Sequence, residues 1–575
     1  MTRGVIRFLV LLFAYLQFSL AQSEIAIPPK REVRAVWVTT TSGLDWPHSL
    51  NKAEQQASLH DIVSRLKTGN FNTIFFQVRA RGDAYYRSRY EPWAENLTGT
   101  LGNDPGWDPL SFLLNEAHHA GIEVHAWFNV FRVNSHSRPE WSVQSGGEWW
   151  LDPGIPAVRA FVLNVVLDLV KNYDLDGVNF DFIRYPGRDF ADNDTYRRYG
   201  NGDNKDDWRR ANVTRFMNDA YDRLKAMKPM LKIGASPWGM FDRDVDGDRG
   251  GSYRSVYQDA RKWIQNGKVD YLSPQLYWSL GGNGGAKGDP DFARLVRSWQ
   301  KYSAGRHIYA GIAAYKPEVF RELPAEIDTA RSRGALGEVF FRYENIRAMT
   351  MFDDRYHSPA NIPPMDWKDA LPPLPPGNLA VTEIATNVFQ LEWSPPPPAD
   401  DGDKPRYYNI YRYAASHIPF DDPRSLVAIT SDNENSFIDT VRVPSGLTYY
   451  YAVTAFDKGN NESAPSNVAT GVVRELLALK GRLPNFTTMT ASIPHTAGGT
   501  ALVAYTLSRR TPVALDLYRL KVSGTDSLFT PLVNGVQERG TYVVGVDPTT
   551  MAPGKYIVRL HAGEATVDQA LDFSR

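Results

Sequence analysis

A carboxylate inside an apolar run needs a physical reason to be there. In DGVNFDFIRYP, Asp181 stands between Phe180 and Phe182. Two-residue alternation puts Asn179, Asp181 and Ile183 on one face and Val178, Phe180 and Phe182 on the other. An unpartnered carboxylate is costly in such surroundings, and Arg184 is the nearest cation in sequence. Two readings follow: a structural Asp–Arg pair, or a catalytic acid or nucleophile. Acid–base chemistry on carboxyls usually takes two such groups working together. One must keep its proton while the other ionises, so their surroundings must separate their pKa values. Asp83 and Glu344 compete for the second place. Asp83 lies beside tyrosines that would exclude water, or is a turn residue after Gly82. Glu344, in FRYEN, sits just past the last β-like run, or is a salt-bridge partner of Arg342.

Other β-like runs end in polar and aromatic residues. Gln77 and Arg79 share a face, with Tyr85 beyond them. His125, Trp127 and Asn129 are in phase. Ser236 and Trp238 end SPWG, and Gln275, Tyr277 and Trp278 belong to SPQLYW. With Trp37, Asn179 and Arg184 they form a candidate substrate-binding set. Rings for stacking and amides for hydroxyls are what a sugar pocket needs. Taken singly, any of them is as readily structural.

The elements that must position these groups are legible as eight β-like runs: 33–40, 73–79, 123–130, 177–184, 232–238, 271–278, 307–315 and 337–343. Helical patterns lie between them, among them 55–67, 109–119, 158–173, 206–227 and 253–265. Eight β-then-α units predict a (β/α)8 TIM barrel, whose active site lies at the carboxyl ends of the strands. A doubly wound open sheet is the alternative, but no G-x-G-x-x-G follows the first run. Prolines at 372, 373, 375 and 376 mark a stiff linker. Beyond it, short alternating runs predict two all-β immunoglobulin-like sandwiches, at 372–473 and 474–575. The barrel is expected over 30–371.

At 575 residues the chain has room for about three or four domains. Its net charge of -1 shows no basic excess for nucleic acid. There is no cysteine, which excludes disulfides, thiolate metal sites and cysteine nucleophiles. Arg3 and Arg7, an apolar run over 8–16, and Ser19 and Ala21 read as a signal peptide over 1–21, hence an exported protein. No later run reaches membrane-spanning length. Asp242–Asp248 resembles the start of an EF-hand loop, but Tyr253 stands where the motif needs Glu, so a polar loop is the simpler reading. His118 and His119 read as partners of a helix C-terminus. Neither a metal nor a cofactor is expected.

REVRAVWVTT, FNTIFFQVRARGDAYY, EPWAENLTGTLGNDPGWDPL, GIEVHAWFNVFRV, DGVNFDFIRYP and VDYLSPQLYW together resemble the glycosyl hydrolase-like 10 family, from about Arg31 to Glu344. The resemblance implies a glycosidase-like barrel of the bacterial envelope acting on an N-acetylated polysaccharide, such as peptidoglycan glycan stripped of its peptides. Asp181 matches the family's acidic position on the fourth strand. Chitinase-like barrels carry DGxDxDxE there; this chain lacks the final acid, so their substrate-assisted mechanism does not transfer unchanged. Residues 378–472 resemble a fibronectin type III module. Residues 475–575 resemble a FlgD-like fold whose relatives can serve as type IX sorting domains, which implies secretion machinery as a partner. Two other functions compete with the hydrolase: a catalytically silent glycan-binding protein and a lytic transglycosylase.

Overall fold

The computed structural model describes residues 27–135, 137–242, 251–281, 290–385, 387–430, 434–441 and 448–473. In the C-terminal region it describes 488–492, 501–507, 510–519, 527–537, 540–546, 555–562 and 565–572. The signal-peptide reading and Asp244, Asp246 and Asp248 of the calcium-loop-like stretch lie outside these residues.

All eight expected runs are parallel strands: β1 Val33–Val38, β2 Thr73–Arg79, β3 Glu123–Asn129, β4 Gly177–Asp181, β5 Lys232–Ala235, β6 Tyr271–Leu272, β7 from His307, and β8 Gly337–Phe340. β7 is split at Tyr309. Its first segment, His307–Ile308, pairs with β6, and its second, Ala310–Ile312, pairs with β8. The sheet of nine segments therefore runs round a nearly closed barrel from β7 through β6, β5, β4, β3, β2, β1 and β8 to β7 again. Helices link successive strands, including Lys52–Thr68, Pro109–His119, Pro156–Asn172 and Lys205–Met227. Asn51 caps the first, its side chain accepting from the Ala53 and Glu54 N–H groups, and Asp108 caps the second ahead of Pro109. The helical pattern at 253–265 is two short helices, Ser252–Ser255 and Ala260–Gln265. The break contains Tyr257 at φ +59°, outside helical space.

Period-two alternation sorts the strands into two apolar layers. Val36, Ile74, Phe76, Val124, Phe128, Val178 and Phe180 face the helices and pack with Leu59, Ile62, Leu113 and Val166. Ala35, Trp37, Phe75, Trp127, Tyr271, Tyr309 and Val339 fill the barrel. Each fully buried side chain of this kind stabilises the fold by about 1.5–3 kcal/mol. Large rings fit because small residues face them. A Cβ on Gly234 would stand 2.3 Å from the Tyr271 ring, and one on Gly177 2.7 Å from His125.

Two irregularities correct the expected phases. The register between β2 and β3 shifts between Gln77 and Arg79, so Gln77 pairs with Trp127 and Arg79 with Phe128. Arg79 thus leaves the face of Gln77. After Asp181, Phe182 takes φ +49°; alternation stops and Ile183 joins the helix-side core.

After the barrel, a three-stranded sheet (Gly377–Ala385, Val388–Ser394, Ser436–Thr440) and a four-stranded one (Leu426–Ile429, Tyr407–Tyr413, Thr448–Phe456, Ala469–Val472) share one apolar cluster around Leu391, Trp393, Ile410 and Val453. This unit docks on the barrel end where the strands begin. Arg406 pairs with Asp176, Lys30 with Glu462 at 2.6 Å, and Asn460 donates to Glu123 at 3.4 Å. Burial pushes the Asp176 carboxyl up, but Arg406 and His118 overrule it and hold it well below the ordinary range. Beside it, Lys232 does the same for Glu123. His118 is therefore bonded to Asp176, at 2.9 Å, rather than serving only its helix end; His119 accepts that role, bonding Asn115 O at 2.7 Å. The C-terminal region repeats a three-stranded and a four-stranded antiparallel sheet, with Tyr505, Leu515, Val544 and Tyr556 in a common core. Among the described residues, no helix is long and apolar enough to cross a membrane.

Candidate active site

Asp181 ends β4 on the barrel's interior side, only 7% exposed. Its Oδ1 accepts from the Phe182 N–H at 2.7 Å and from Gln275 Nε2 at 3.3 Å. Burial raises its pKa to about 6 against the opposing pull of the Phe182 N–H, Arg184, Trp127 and Arg132. The group therefore keeps its proton two units longer than an ordinary aspartate, as a general acid requires. Arg184 is near enough to favour the ionised form, yet forms no ion pair with it: its one hydrogen bond runs from Nη1 to Tyr185 O at 3.2 Å. The expected structural Asp–Arg pair is thus absent.

Aromatic walls surround this acid. Tyr277 stacks on Phe341 with centroids 5.9 Å apart, and its hydroxyl pKa is raised by burial and then by the Asp181 charge. A cleft of about 240 Å³ is lined by Trp238, Gly239, Met240, Gln275, Tyr277, Trp278, Tyr315 and Lys316. Gln275 joins cleft to acid. Trp127 is nearly buried against Phe341, with its indole near enough to Asp181 to favour the ionised carboxyl. Asn179 accepts from Ser236 Oγ at 2.7 Å beneath the acid.

Other expected ligands are held in the framework. Gln77 Oε1 accepts from the Thr40 and Thr41 N–H groups at 3.0 and 2.8 Å, clamping the β1 loop. Arg79 grips Glu91 through two N–H groups, at 2.6 and 2.7 Å, and is fully buried. The Tyr85 hydroxyl donates within the same loop, with Thr40 O at 3.0 Å and Asn96 Oδ1 at 2.6 Å. His125 lies deep in the barrel, stacked on Phe75 and bonded to the Tyr271 hydroxyl at 2.7 Å. Asn129 donates to Ala80 O, and Trp37 packs edge-on against Phe75 and Phe341.

Asp83 and Glu344, the candidates for the second carboxylate, are engaged away from Asp181. Asp83 is a turn residue, accepting from the Arg81 N–H at 2.7 Å. It lines a different cavity, of about 370 Å³, with Thr41, Tyr85, Asn96 and Asn134. Burial raises its pKa. Glu344 pairs with Arg347 at 3.2 Å, whereas Arg342 takes Asp45 at 2.7 Å, which corrects the expected Arg342–Glu344 bridge. Asp45 also accepts the Glu344 N–H, so that pair secures the β8 loop to the β1 loop. Asp242 pairs with Arg254.

Sequence reasoning missed Arg132 and Trp150. They come from a three-stranded antiparallel excursion after β3: Arg132–Val133, Ser142–Ser145 and Glu148–Leu151. It also missed Phe341, Tyr315 and Lys316. The paired tryptophans in GGEWWL and the tyrosine just before the Pro317 helix start were the available signals.

A parallel barrel with a proton-retaining carboxyl at the end of its fourth strand, set under aromatic walls, defines a glycosidase-like protein. Residues 32–322 match the glycosyl hydrolase-like 10 model, and the chain belongs to that family. It is 32% identical over 492 residues to glycosyl hydrolase YngK of Bacillus subtilis, covering 76% of this chain and 93% of that protein. It is 35% identical over 328 residues to glycosyl hydrolase DigH of Escherichia coli K12, covering 49% of this chain and 73% of the relative. Among solved structures, an α-L-fucosidase from Paenibacillus thiaminolyticus superposes with TM-score 0.39 at 14% identity over 90% of this chain and 100% of that one, too weak a likeness to bear on the reaction.

Proposed function

We propose that this protein is an exported bacterial glycoside hydrolase that cleaves glycosidic bonds in an envelope polysaccharide, foremost peptide-free peptidoglycan glycan, with Asp181 as its general acid. The observation that carries the reading is a buried, proton-retaining Asp181 hydrogen-bonded to Gln275 of an aromatic cleft. In its protonated form Asp181 delivers a proton to the leaving oxygen. Gln275 fixes the carboxyl's direction, and the Arg184 charge keeps the resulting carboxylate tolerable so that it can accept a proton from water later. Asp83 and Glu344 are the proposed candidates for the second carboxylate. Trp238, Tyr277 and Trp278 offer faces on which sugar rings stack.

Residues 372–473 act in this reading as a fibronectin type III-like support. Residues 474–575 act as a FlgD-like module for sorting or surface attachment. The three-plus-four strand arrangement of each supports it.

The test is product release from peptide-free peptidoglycan glycans and chitin oligomers by wild type and Asp181→Asn. New reducing ends from wild type alone support the proposal. Binding without reducing ends overturns it in favour of a silent glycan-binding protein, and anhydro-sugar ends by mass spectrometry would instead identify a lytic transglycosylase.

A further inference from the structure

Buried cations in this fold are usually matched by anions. Arg34 meets Glu32 at 2.8 Å, Arg79 meets Glu91 at 2.6 Å, and Arg209 meets Asp192 at 2.6 Å. At the cleft, Arg132 is neutralised by Glu148 at 2.6 Å. Arg184, which is only partly buried, departs from this pattern. Its guanidinium lies 5.0 Å from the Trp150 ring, 5.1 Å from Phe182 and 5.2 Å from Trp238. It has no carboxylate within 4 Å among the described residues and spends one N–H on Tyr185 O. Even a partly desolvated cation gains when an anion completes it. The rings fix its plane at the price of hydration, and burial drags its pKa down to about 10. A planar fork so held suits two-point capture of a carboxylate. Trp238 links it to the sugar cleft, because the same indole lines that cavity.

We infer that Arg184 is a specificity residue that binds a carboxylate carried by the substrate, so that the sugar held beside Trp238 is an acidic one. The inference rests on the glycan reading of the site. In peptide-free peptidoglycan that group is the lactyl carboxylate exposed when the peptide leaves. A uronic acid would present the same chemistry.

Calorimetric titration of the full chain carrying Asp181→Asn tests it. The ligands are a peptide-free glycan tetrasaccharide, the same ligand with its carboxylates reduced to alcohols, and a hyaluronan tetrasaccharide. The expected result is at least tenfold tighter binding of a carboxylate ligand than of the reduced one. Arg184→Gln should erase that preference, weakening the carboxylate ligand at least tenfold more than the reduced one. Preference for the lactyl or for the uronate ligand upholds the inference and identifies the source. Equal binding of charged and reduced ligands overturns it, and so does an equal loss on both in Arg184→Gln. The first of these needs no Arg184 variant to fold, and Arg184→Lys, which keeps the charge and loses the fork, should retain part of the preference. Hydrolysis by wild type without charge preference would refute the role of Arg184 alone. Charge-selective binding without new reducing ends would refute hydrolysis alone.

Discussion

Gln275, from the loop after β6, donates to Asp181 at the end of β4 across 3.3 Å, joining two strands' carboxyl ends through one hydrogen bond. The bond restrains an acid whose proton is retained to about pH 6. As a general acid Asp181 must be protonated, so kcat/KM should fall as pH rises through about 6. Asp181→Asn should cost about 10²–10⁴-fold in kcat. Gln275→Ala should cost less and shift the alkaline limb upward, since it removes a donor that favours the ionised form. Initial rates against pH check both.

The same proton appears in stability. Because the folded-state pKa is raised, Asp181's contribution is full below its ordinary 3.8 and is lost as pH rises through about 6. Asp181→Asn should therefore melt higher than wild type at pH 7.5, by up to about 2–3 kcal/mol, with no such gain at pH 3.5. Thermal melts at the two pH values decide it.

Glu326 offers a second case away from the cleft. It is fully buried in the Pro317–Ser332 helix, neither carboxyl oxygen has a hydrogen-bond partner, and burial, aided by Glu322, raises its pKa to about 9. Its contribution is full below 4.5 and drains away up to about pH 9. Glu326→Met should stabilise the protein at pH 7 by about 2–4 kcal/mol, read as a higher urea midpoint.

Gly234 must stay small. A methyl group there would enter the Tyr271 ring inside the barrel. Gly234→Ala should destabilise by about 1–3 kcal/mol, seen as a lower melting temperature, and Tyr271→Phe should not repair it because the ring, not the hydroxyl, occupies the space.

Gln77 separates a clamp from a ligand. With its oxygen engaged by Thr40 and Thr41, Gln77→Leu should lower the melting temperature by several degrees, since each buried donor left unpaired costs about 1–3 kcal/mol. A rise in KM with unchanged stability would show that it touches substrate instead.

Much of this was legible in the chain. The alternation around Asp181 set it on the face opposite Val178 and Phe180, and all eight strands start where their β-like runs begin. Their ends were less legible. A register shift at Arg79 and a positive φ at Phe182 each reverse side-chain direction, and period-two counting has no means of sensing either. Gln77, Tyr85 and His125 carry the right chemistry for sugars, but their partners lie in loops and neighbouring strands that no local pattern specifies. The Asp176–Arg406 pair joins residues 230 positions apart, beyond any reading of local sequence.

That pair, with Lys30–Glu462 and Asn460–Glu123, fastens the second unit beneath the barrel, at the end opposite the cleft. A grip from below has a directional consequence. The rim around Asp181 stays clear of this unit, so under the proposed function a long glycan would have room to lie across the opening. Whatever holds the downstream half of the chain then also dictates which way the opening points.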